Sequence, residues 1–334
     1  MNAPVRVARD YESGQEVRWC PGCGDYAILR AVQKTLAELD ADPSNTVFVS
    51  GIGCAARLPY YLATYGFHTI HGRAPAIATG LKLANPELDV WLVTGDGDGL
   101  SIGAGHLMHL LRRNLNCQVL LFNNEAYGLT KGQYSPTSRI GTVTPSSPAG
   151  SVGDPVSACR FALGSGARFV ARGIDTRIAE LQATLSAAHA FSGTAFVEIL
   201  QNCIVYNDGV FADFTERSVA AERQLHVVHG EPLRFGPDLN RGLILDRDAF
   251  ALQAVSVGAD GVPEEEVLVH DQSNRALATL LATMEGPDLP LAVGVLFAEE
   301  GPVFEVEVRD QVEERGHLPL SDLLRRTSTW KVSP

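Results

Sequence analysis

Lysine is nearly missing from this chain. There are four in 334 residues, and the 27 Lys+Arg are outnumbered by 39 Asp+Glu, giving a formal net charge of −12. Beyond Arg112 and Arg113 no basic cluster forms, so the expectation is no nucleic-acid partner, because phosphate contacts need grouped Lys and Arg. Apolar runs are short. None approaches the ~18 residues of a transmembrane helix, and the first residues, MNAPVRVARDYESGQEV, have no apolar core of the kind a secretory leader carries. The reading is therefore no membrane and a cytoplasmic location. Internal repeats and low-complexity tracts are absent. Cysteine is also scarce: six, at 20, 23, 54, 117, 159 and 203. In a reducing compartment disulfides are rare, so the pair in WCPGCG (Cys20, Cys23) points to metal or redox chemistry rather than to a staple.

What is present suits a globular protein with a sizeable core: 45% hydrophobic and 20% charged residues. The length fits two units, or one large α/β domain with an appendage. Ile28, Val32, Leu36 and Leu39 fall on one face of a helix over 25–39 that Asp25 can cap. TVFVS (46–50) reads as a buried strand, 74–84 as a helix, DVWLVT (89–94) as a strand, 101–113 as a helix and CQVLLFNN (117–124) as a strand. The Ser/Pro/Thr-rich stretch 135–151 reads as a long loop of the kind that is functional or mobile. A helix (154–163), a strand (167–171), a helix (175–190) and a strand (195–200) follow. This alternation predicts a mostly parallel sheet with helices on both faces. Residues 205–262 read as irregular. Residues 263–300 read as a small strand–helix–strand unit, and the end as a helix and tail. The expected division is 1–205 for the main α/β domain and 206–334 for a C-terminal extension.

Three constellations carry chemistry. GDGDGL (95–100) and NNEAYG (123–128) follow two consecutive strands of a βαβ unit. That places Asp96 and Asn124 together at the carboxyl edge of the sheet, where open α/β folds bind ligands. A carboxylate, an amide oxygen and a backbone carbonyl are hard ligands suited to Mg²⁺ that also holds phosphate oxygens. The glycines allow close approach of a diphosphate. GDG followed by NN resembles the thiamine diphosphate motif; an EF-hand fails because Leu100 replaces an oxygen ligand. The turn SGIGCAA (50–56) mimics a dinucleotide fingerprint, but no acidic residue follows at the required distance, and Cys54 sits where a phosphate would lie. In the third constellation Cys20, Cys23, Cys54 and Cys203 converge on that same edge. Four thiolates suit a [4Fe–4S] cluster or, equally, a Cys₄ zinc site. Cys117 and Cys159 read as inert core thiols.

WCPGCG, SGIGCAARLPYY, HGRAPAIATGLKLANP, VTGDGDGLSIG, NNEAYGLTKGQYSPTS and EILQNC, together spanning 19 to about 205, resemble the beta subunits of the 2-oxoacid:ferredoxin oxidoreductases. HGEPLRFG and VLVHDQSN are similar to the extension of the 2-oxoglutarate type. The resemblance implies that Cys20, Cys23, Cys54 and Cys203 hold one [4Fe–4S] cluster. It implies that Asp96, Asn124 and the Ala126 carbonyl hold Mg²⁺. Ile52, Gly53, Cys54, Ala55, His71, Gly97, Asp98, Gly128 and Leu129 would line thiamine diphosphate, with His71 and Lys131 in catalytic roles and Lys131 near the substrate carboxylate. His71 also reads as an ordinary structural hydrogen-bonder, and Lys131 as a solvated charge. Lys131 is, however, the only lysine between 83 and 330, and a 2-oxoacid needs a cation.

The implied reaction is oxidative decarboxylation of a 2-oxoacid, first 2-oxoglutarate, with coenzyme A taking the acyl group and ferredoxin taking single electrons. An alpha subunit would bring the coenzyme A site and the Glu that engages the aminopyrimidine ring. Open alternatives are pyruvate or branched-chain 2-oxoacids, a non-redox thiamine decarboxylase or carboligase with a zinc site, and an electron-transfer module without chemistry of its own. Residues from about 291 onward match no family feature.

Overall fold

A computed structural model describes residues 6–259, 261–284, 288–316, 318–326, 328–330 and 332. The chain runs through strands β1 (Thr46–Ser50), β2 (Tyr65–His68), β3 (Asp89–Gly95), β4 (Cys117–Asn123), β5 (Ala126–Tyr127), β6 (Gln133–Tyr134), β7 (Phe169–Ile174), β8 (Thr194–Leu200), β9 (Gln224–Val227), β10 (Arg234–Phe235), β11 (Arg241–Asp246), β12 (Ala251–Ser256) and β13 (Leu291–Ala298). The helices are α1 (Asp25–Glu38), α2 (Ala74–Ala84), α3 (Ala104–Arg113), α4 (Ala158–Gly164), α5 (Ile178–Ala190), the single turns α6 (Ala212–Thr215) and α7 (Ala220–Arg223), then α8 (Arg275–Thr283), α9 (Phe304–Arg315) and α10 (Leu320–Arg326). Among the described residues no helix is long and apolar enough to cross a membrane.

The main sheet has eight strands in the order β2-β1-β3-β4-β8-β7-β13-β9. Every pair is parallel except β13 with β7. β1, β4, β7 and β8 are buried along their whole length. Such continuous apolar runs are what a parallel sheet covered on both faces requires. Alternate residues serve opposite layers: Val47, Val49, Val90 and Leu92 join the core that contains α3 and α8 residues, whereas Phe48, Trp91 and Val93 join the core under α1 and α5.

Several elements depart from the sequence reading. The helix expected over 101–113 begins as one wide turn, Asp98–Ile102, and only Ala104–Arg113 is α-helical. Asp25 does not cap α1; Gly24 is the cap residue, with no side-chain bond. The helix expected over 154–163 starts at Ala158, where the Ser157 side chain accepts from Arg160 N–H, and the strand expected over 167–171 is Phe169–Ile174. Residues 205–262 are not irregular throughout: β10-β11-β12 form a small antiparallel sheet, and β9 joins the main one. EVLVH (266–270) is no strand, but a tight turn, Glu264–Glu266, and an isolated bridge from Val269 to Pro232. LAVGVLF does form a strand, β13, and it extends the main sheet. β2 and α9 have no counterpart in the sequence reading.

Candidate functional site

Parallel strands end together. The residues after β1, β3, β4 and β8 therefore meet at one rim of the sheet, the rim that open α/β folds use for ligands. One cavity there, of about 100 Å³, is lined by Ile52, Gly53, Cys54, Ala55, His71, Gly97, Asp98, Gly128 and Leu129, together with Asp96, Asn124 and Ala126. A second, of about 230 Å³, is lined by Cys20, Cys23, Cys54 and Cys203, and by Lys131. Cys54, Asn124, Gly128, Leu129 and Gln201 border both, so the two cavities share a wall.

Asp98 is the organising anion of the first cavity. Its Oδ1 accepts from Ile52 N–H (3.1 Å) and Gly72 N–H (2.8 Å), and its Oδ2 from the Thr94 hydroxyl (2.7 Å). His71 Nδ1 is hydrogen-bonded to the same Oδ1, which fixes the ring while its side chain stays 41% exposed. One carboxylate thus pins two backbone turns and a histidine. Close approach requires Gly51, since a Cβ there would lie 1.9 Å from Asp98 Oδ2.

Asp96 is buried. Its Oδ2 accepts from the Ser135 (2.6 Å) and Thr137 (2.7 Å) hydroxyls. Burial pushes its carboxyl up to about 6, with those hydroxyls opposing; a cation is the natural counter-charge for such a group. Asn124 accepts from Ala126 N–H through Oδ1 (3.1 Å) and donates from Nδ2 to Gln201 Oε1 (2.7 Å). Between them Glu125 takes the left-handed region (φ 54°), which turns the chain so that both of its neighbours border the cavity. Burial raises the Glu125 carboxyl to about 7, opposed by Arg139. Asp96, Asn124 and Ala126 offer three oxygens of hard character around one cavity, a donor set that fits Mg²⁺.

The cysteines gather from three directions. Cys23 N–H donates to Cys20 O (3.0 Å), closing the C-x-x-C turn, and Gly24 N–H donates to Asn202 O (3.1 Å), tying that turn to the loop that carries Cys203. Trp19 Nε1 donates to Cys54 O (2.8 Å). Gly128 threads between two thiols: a Cβ on it would stand 3.4 Å from Cys54 Sγ and 3.6 Å from Cys203 Sγ. Burial raises the Cys54 thiol to about 12 and pushes the Cys23 thiol up as well. Metal binding to thiols held protonated in this way releases their protons. Thiols spread around a cavity fit a polynuclear cluster. Among the described residues no three His, Cys, Asp or Glu side chains close on one ion.

Every residue singled out in the sequence therefore borders one cavity or the other. Lys131 is the exception in placement: it is exposed and borders the cysteine cavity rather than the one beside Asp96. Its backbone is left-handed (φ 76°). Sequence reasoning missed Asp25, Ser135, Thr137 and Gln201. Asp25 is 1% exposed, borders the first cavity, and lies beside the Cys23 thiol, with no nitrogen or oxygen partner for its carboxylate among the described residues. Ser135 and Thr137 lie in NNEAYGLTKGQYSPTS, a stretch that carries the family resemblance but in which neither hydroxyl has an implied role.

Comparison with known proteins shows what the chain is similar to. The family model for the thiamine pyrophosphate enzyme C-terminal TPP binding domain matches residues 50–199. The 2-oxoglutarate oxidoreductase subunit KorB of Mycobacterium tuberculosis is 48% identical, over 97% of this chain and 88% of that protein. A 2-oxoacid:ferredoxin oxidoreductase subunit beta of Aeropyrum pernix is 50% identical, over 59% of this chain and 62% of its own length. A solved structure described as 2-oxoglutarate:ferredoxin oxidoreductase from Magnetococcus marinus with 2-oxoglutarate, coenzyme A and succinyl-CoA bound aligns with a TM-score of 0.76 at 31% identity, over 97% of both chains.

Proposed function

The chain belongs to the beta subunits of the 2-oxoacid:ferredoxin oxidoreductases, most like the 2-oxoglutarate type, and from that premise we propose that it carries out thiamine diphosphate-dependent, coenzyme A-dependent oxidative decarboxylation of 2-oxoglutarate with an alpha subunit. A [4Fe–4S] cluster held by the four cysteines would supply one-electron transfer to ferredoxin. The observation that carries this reading is the shared wall: the cavity bordered by Asp96 and Asn124 and the cavity bordered by four cysteines have Cys54, Asn124, Gly128, Leu129 and Gln201 in common.

In this reading residues 1–205 supply every proposed ligand and 206–334 form an extension. Cys20, Cys23, Cys54 and Cys203 hold the cluster, and the thiols lose their protons to do so. Asp96, Asn124 and the Ala126 carbonyl would hold Mg²⁺, and the ion would supply the counter-charge for the Asp96 carboxylate and for a diphosphate. Asp98 keeps His71 oriented toward the cofactor, and the turn 52–55 lies against it. When bound, thiamine diphosphate supplies the electron sink for decarboxylation. Lys131, beside the cysteine cavity, offers a cation to the substrate's carboxylate from that side, and Leu129 faces its side chain. The alpha subunit brings the aminopyrimidine Glu and the coenzyme A site.

Coexpression with the alpha subunit tests this. The purified complex is expected to contain about four iron and four sulfide per beta chain. It is expected to reduce viologen with 2-oxoglutarate and coenzyme A, faster than with pyruvate or branched-chain 2-oxoacids, while the beta chain alone is inactive. Full activity of the lone chain would overturn the need for a partner, and zinc in place of iron would overturn the cluster.

A further inference from the structure

Gln201, the first residue after β8, is 1% exposed and borders both cavities. Its backbone N–H donates to Asn123 O (2.8 Å), so its position is fixed from the strand. The orientation of its amide follows from a chain of donors. Ala126 N–H can only donate, so Asn124 presents Oδ1 to it (3.1 Å). Asn124 then presents Nδ2, a donor, to Gln201, which must answer with Oε1 (2.7 Å). That leaves Gln201 Nε2 facing Asn202 O (2.6 Å) and Cys23 Sγ (3.3 Å). An amide nitrogen carries two hydrogens, and here each has an acceptor.

The side chain thus joins an amide proposed to bind Mg²⁺ to a sulfur proposed to bind iron. We infer that Gln201 is a positioning residue with two effects: its N–H···S bond to Cys23 raises the reduction potential of the cluster, and its Oε1 holds the Asn124 amide in the orientation that a metal ligand needs. An N–H donor draws charge from a thiolate and so favours the reduced, more negative cluster; hydrogen bonds to cluster sulfurs are among the levers that set such potentials. Partners that orient a metal ligand commonly change affinity 10- to 100-fold when removed. This inference rests on the reading of Cys23 as a cluster ligand.

The test uses the complete complex with the alpha subunit, comparing wild type with Gln201→Met, which keeps the length and removes both bonds, and with Gln201→Glu, which keeps the acceptor for Asn124 and loses the donor to Cys23. EPR-monitored redox titration is expected to give a more negative midpoint in both variants. Resonance Raman Fe–S stretching bands are expected to move to higher frequency. Only Gln201→Met should also weaken Mg²⁺ binding, by about 10-fold or more. Midpoints and Fe–S bands equal to wild type, in a variant with full iron and sulfide, would overturn the inference and leave the cluster reading intact. Wild type without iron would overturn the cluster reading itself. If Gln201→Met fails to assemble its cluster, Gln201→Leu, which also removes the donor and adds no charge, decides the potential, because the carboxylate of Gln201→Glu lowers a midpoint by itself.

Discussion

At the scale of single residues, the first cavity is built on glycines whose missing side chains make room for other side chains. A Cβ on Gly97 would lie 2.2 Å from the Tyr127 ring, whose hydroxyl donates to Gly97 O (3.0 Å), and a Cβ on Gly51 would strike the Asp98 carboxylate. Asp98 has nowhere to go, because Ile52, Gly72, Thr94 and His71 hold it on all sides. Gly51→Ala is therefore expected to destabilise the chain by about 1–3 kcal/mol through overpacking. It should also lower stability more than Gly53→Ala, since among the described residues a Cβ on Gly53 meets nothing within 4 Å and brings only backbone strain at φ 133°. Urea midpoints of the two variants check the order. From the sequence Gly97 reads as space for a diphosphate. That the space beside Gly97 is taken by Tyr127 is a matter of tertiary packing, which spacing does not encode. The cysteines, Asp96 and Asn124 are legible because each stands at the end of a recognisable strand or turn. Gln201 is not: its partners Asn124 and Cys23 lie 77 and 178 positions away, and a lone glutamine carries no spacing signature.

At the scale of elements, a buried hydrogen-bonded row crosses the sheet from the loop after β6 to β13. Thr137 donates to Asp96 Oδ2 (2.7 Å) and lies 2.9 Å from Asn123 Oδ1; Asn123 Nδ2 donates to Glu198 Oε1 (2.8 Å); Arg172 Nε donates to Glu198 Oε2 (2.8 Å), and its Nη1 to Ala292 O (3.1 Å). Burial alone would raise the Glu198 carboxyl, but Arg172, with hydrogen bonds from Asn123 and Cys159, holds it below its ordinary value. Its contribution to stability is thus complete above the ordinary glutamate range and falls away as pH drops through the lowered value. The loop read as functional or mobile is in this part neither floppy nor exposed: Ser135, Thr137 and Ser138 are buried, and Ser138 is bonded to Glu125 O (2.5 Å). Hydroxyls in YSPTS carry no apolar periodicity, so their burial is invisible to a pattern reading. Thr137→Val keeps the shape and removes the donor to Asp96. The expected result is weaker Mg²⁺ binding, by roughly 10-fold, with little change in circular dichroism. Unchanged affinity by calorimetry would remove Thr137 from the support of Asp96.

At the scale of the whole molecule, the C-terminal stretch returns to the main sheet at two places. β13 lies antiparallel on β7 and carries β9 beyond it. Asn114 Nδ2 donates to Pro302 O (2.9 Å), and Glu305 at the start of α9 lies 3.6 Å from the buried Lys82 ammonium, which also donates to Pro86 O (2.6 Å) and Leu88 O (2.9 Å). The strand in LAVGVLF is legible from its composition, but nothing local says which sheet it joins or in which direction. A chain ending at residue 205 would uncover the edge of β7 and take Ala292 O from Arg172. It would also take the carboxylate from Lys82, and removing one partner of a buried pair commonly costs about 3–5 kcal/mol. An exposed apolar strand edge is in addition a template for aggregation. A chain ending at residue 316 keeps β9, β13 and α9. The expectation is that the 1–316 chain is soluble and assembles with the alpha subunit, whereas the 1–205 chain, although it holds every proposed ligand, is recovered as aggregate. Size-exclusion chromatography of both, expressed with the alpha subunit, decides it: a monodisperse 1–205 complex with full iron content would show that the site-bearing half folds without the strands that complete its sheet.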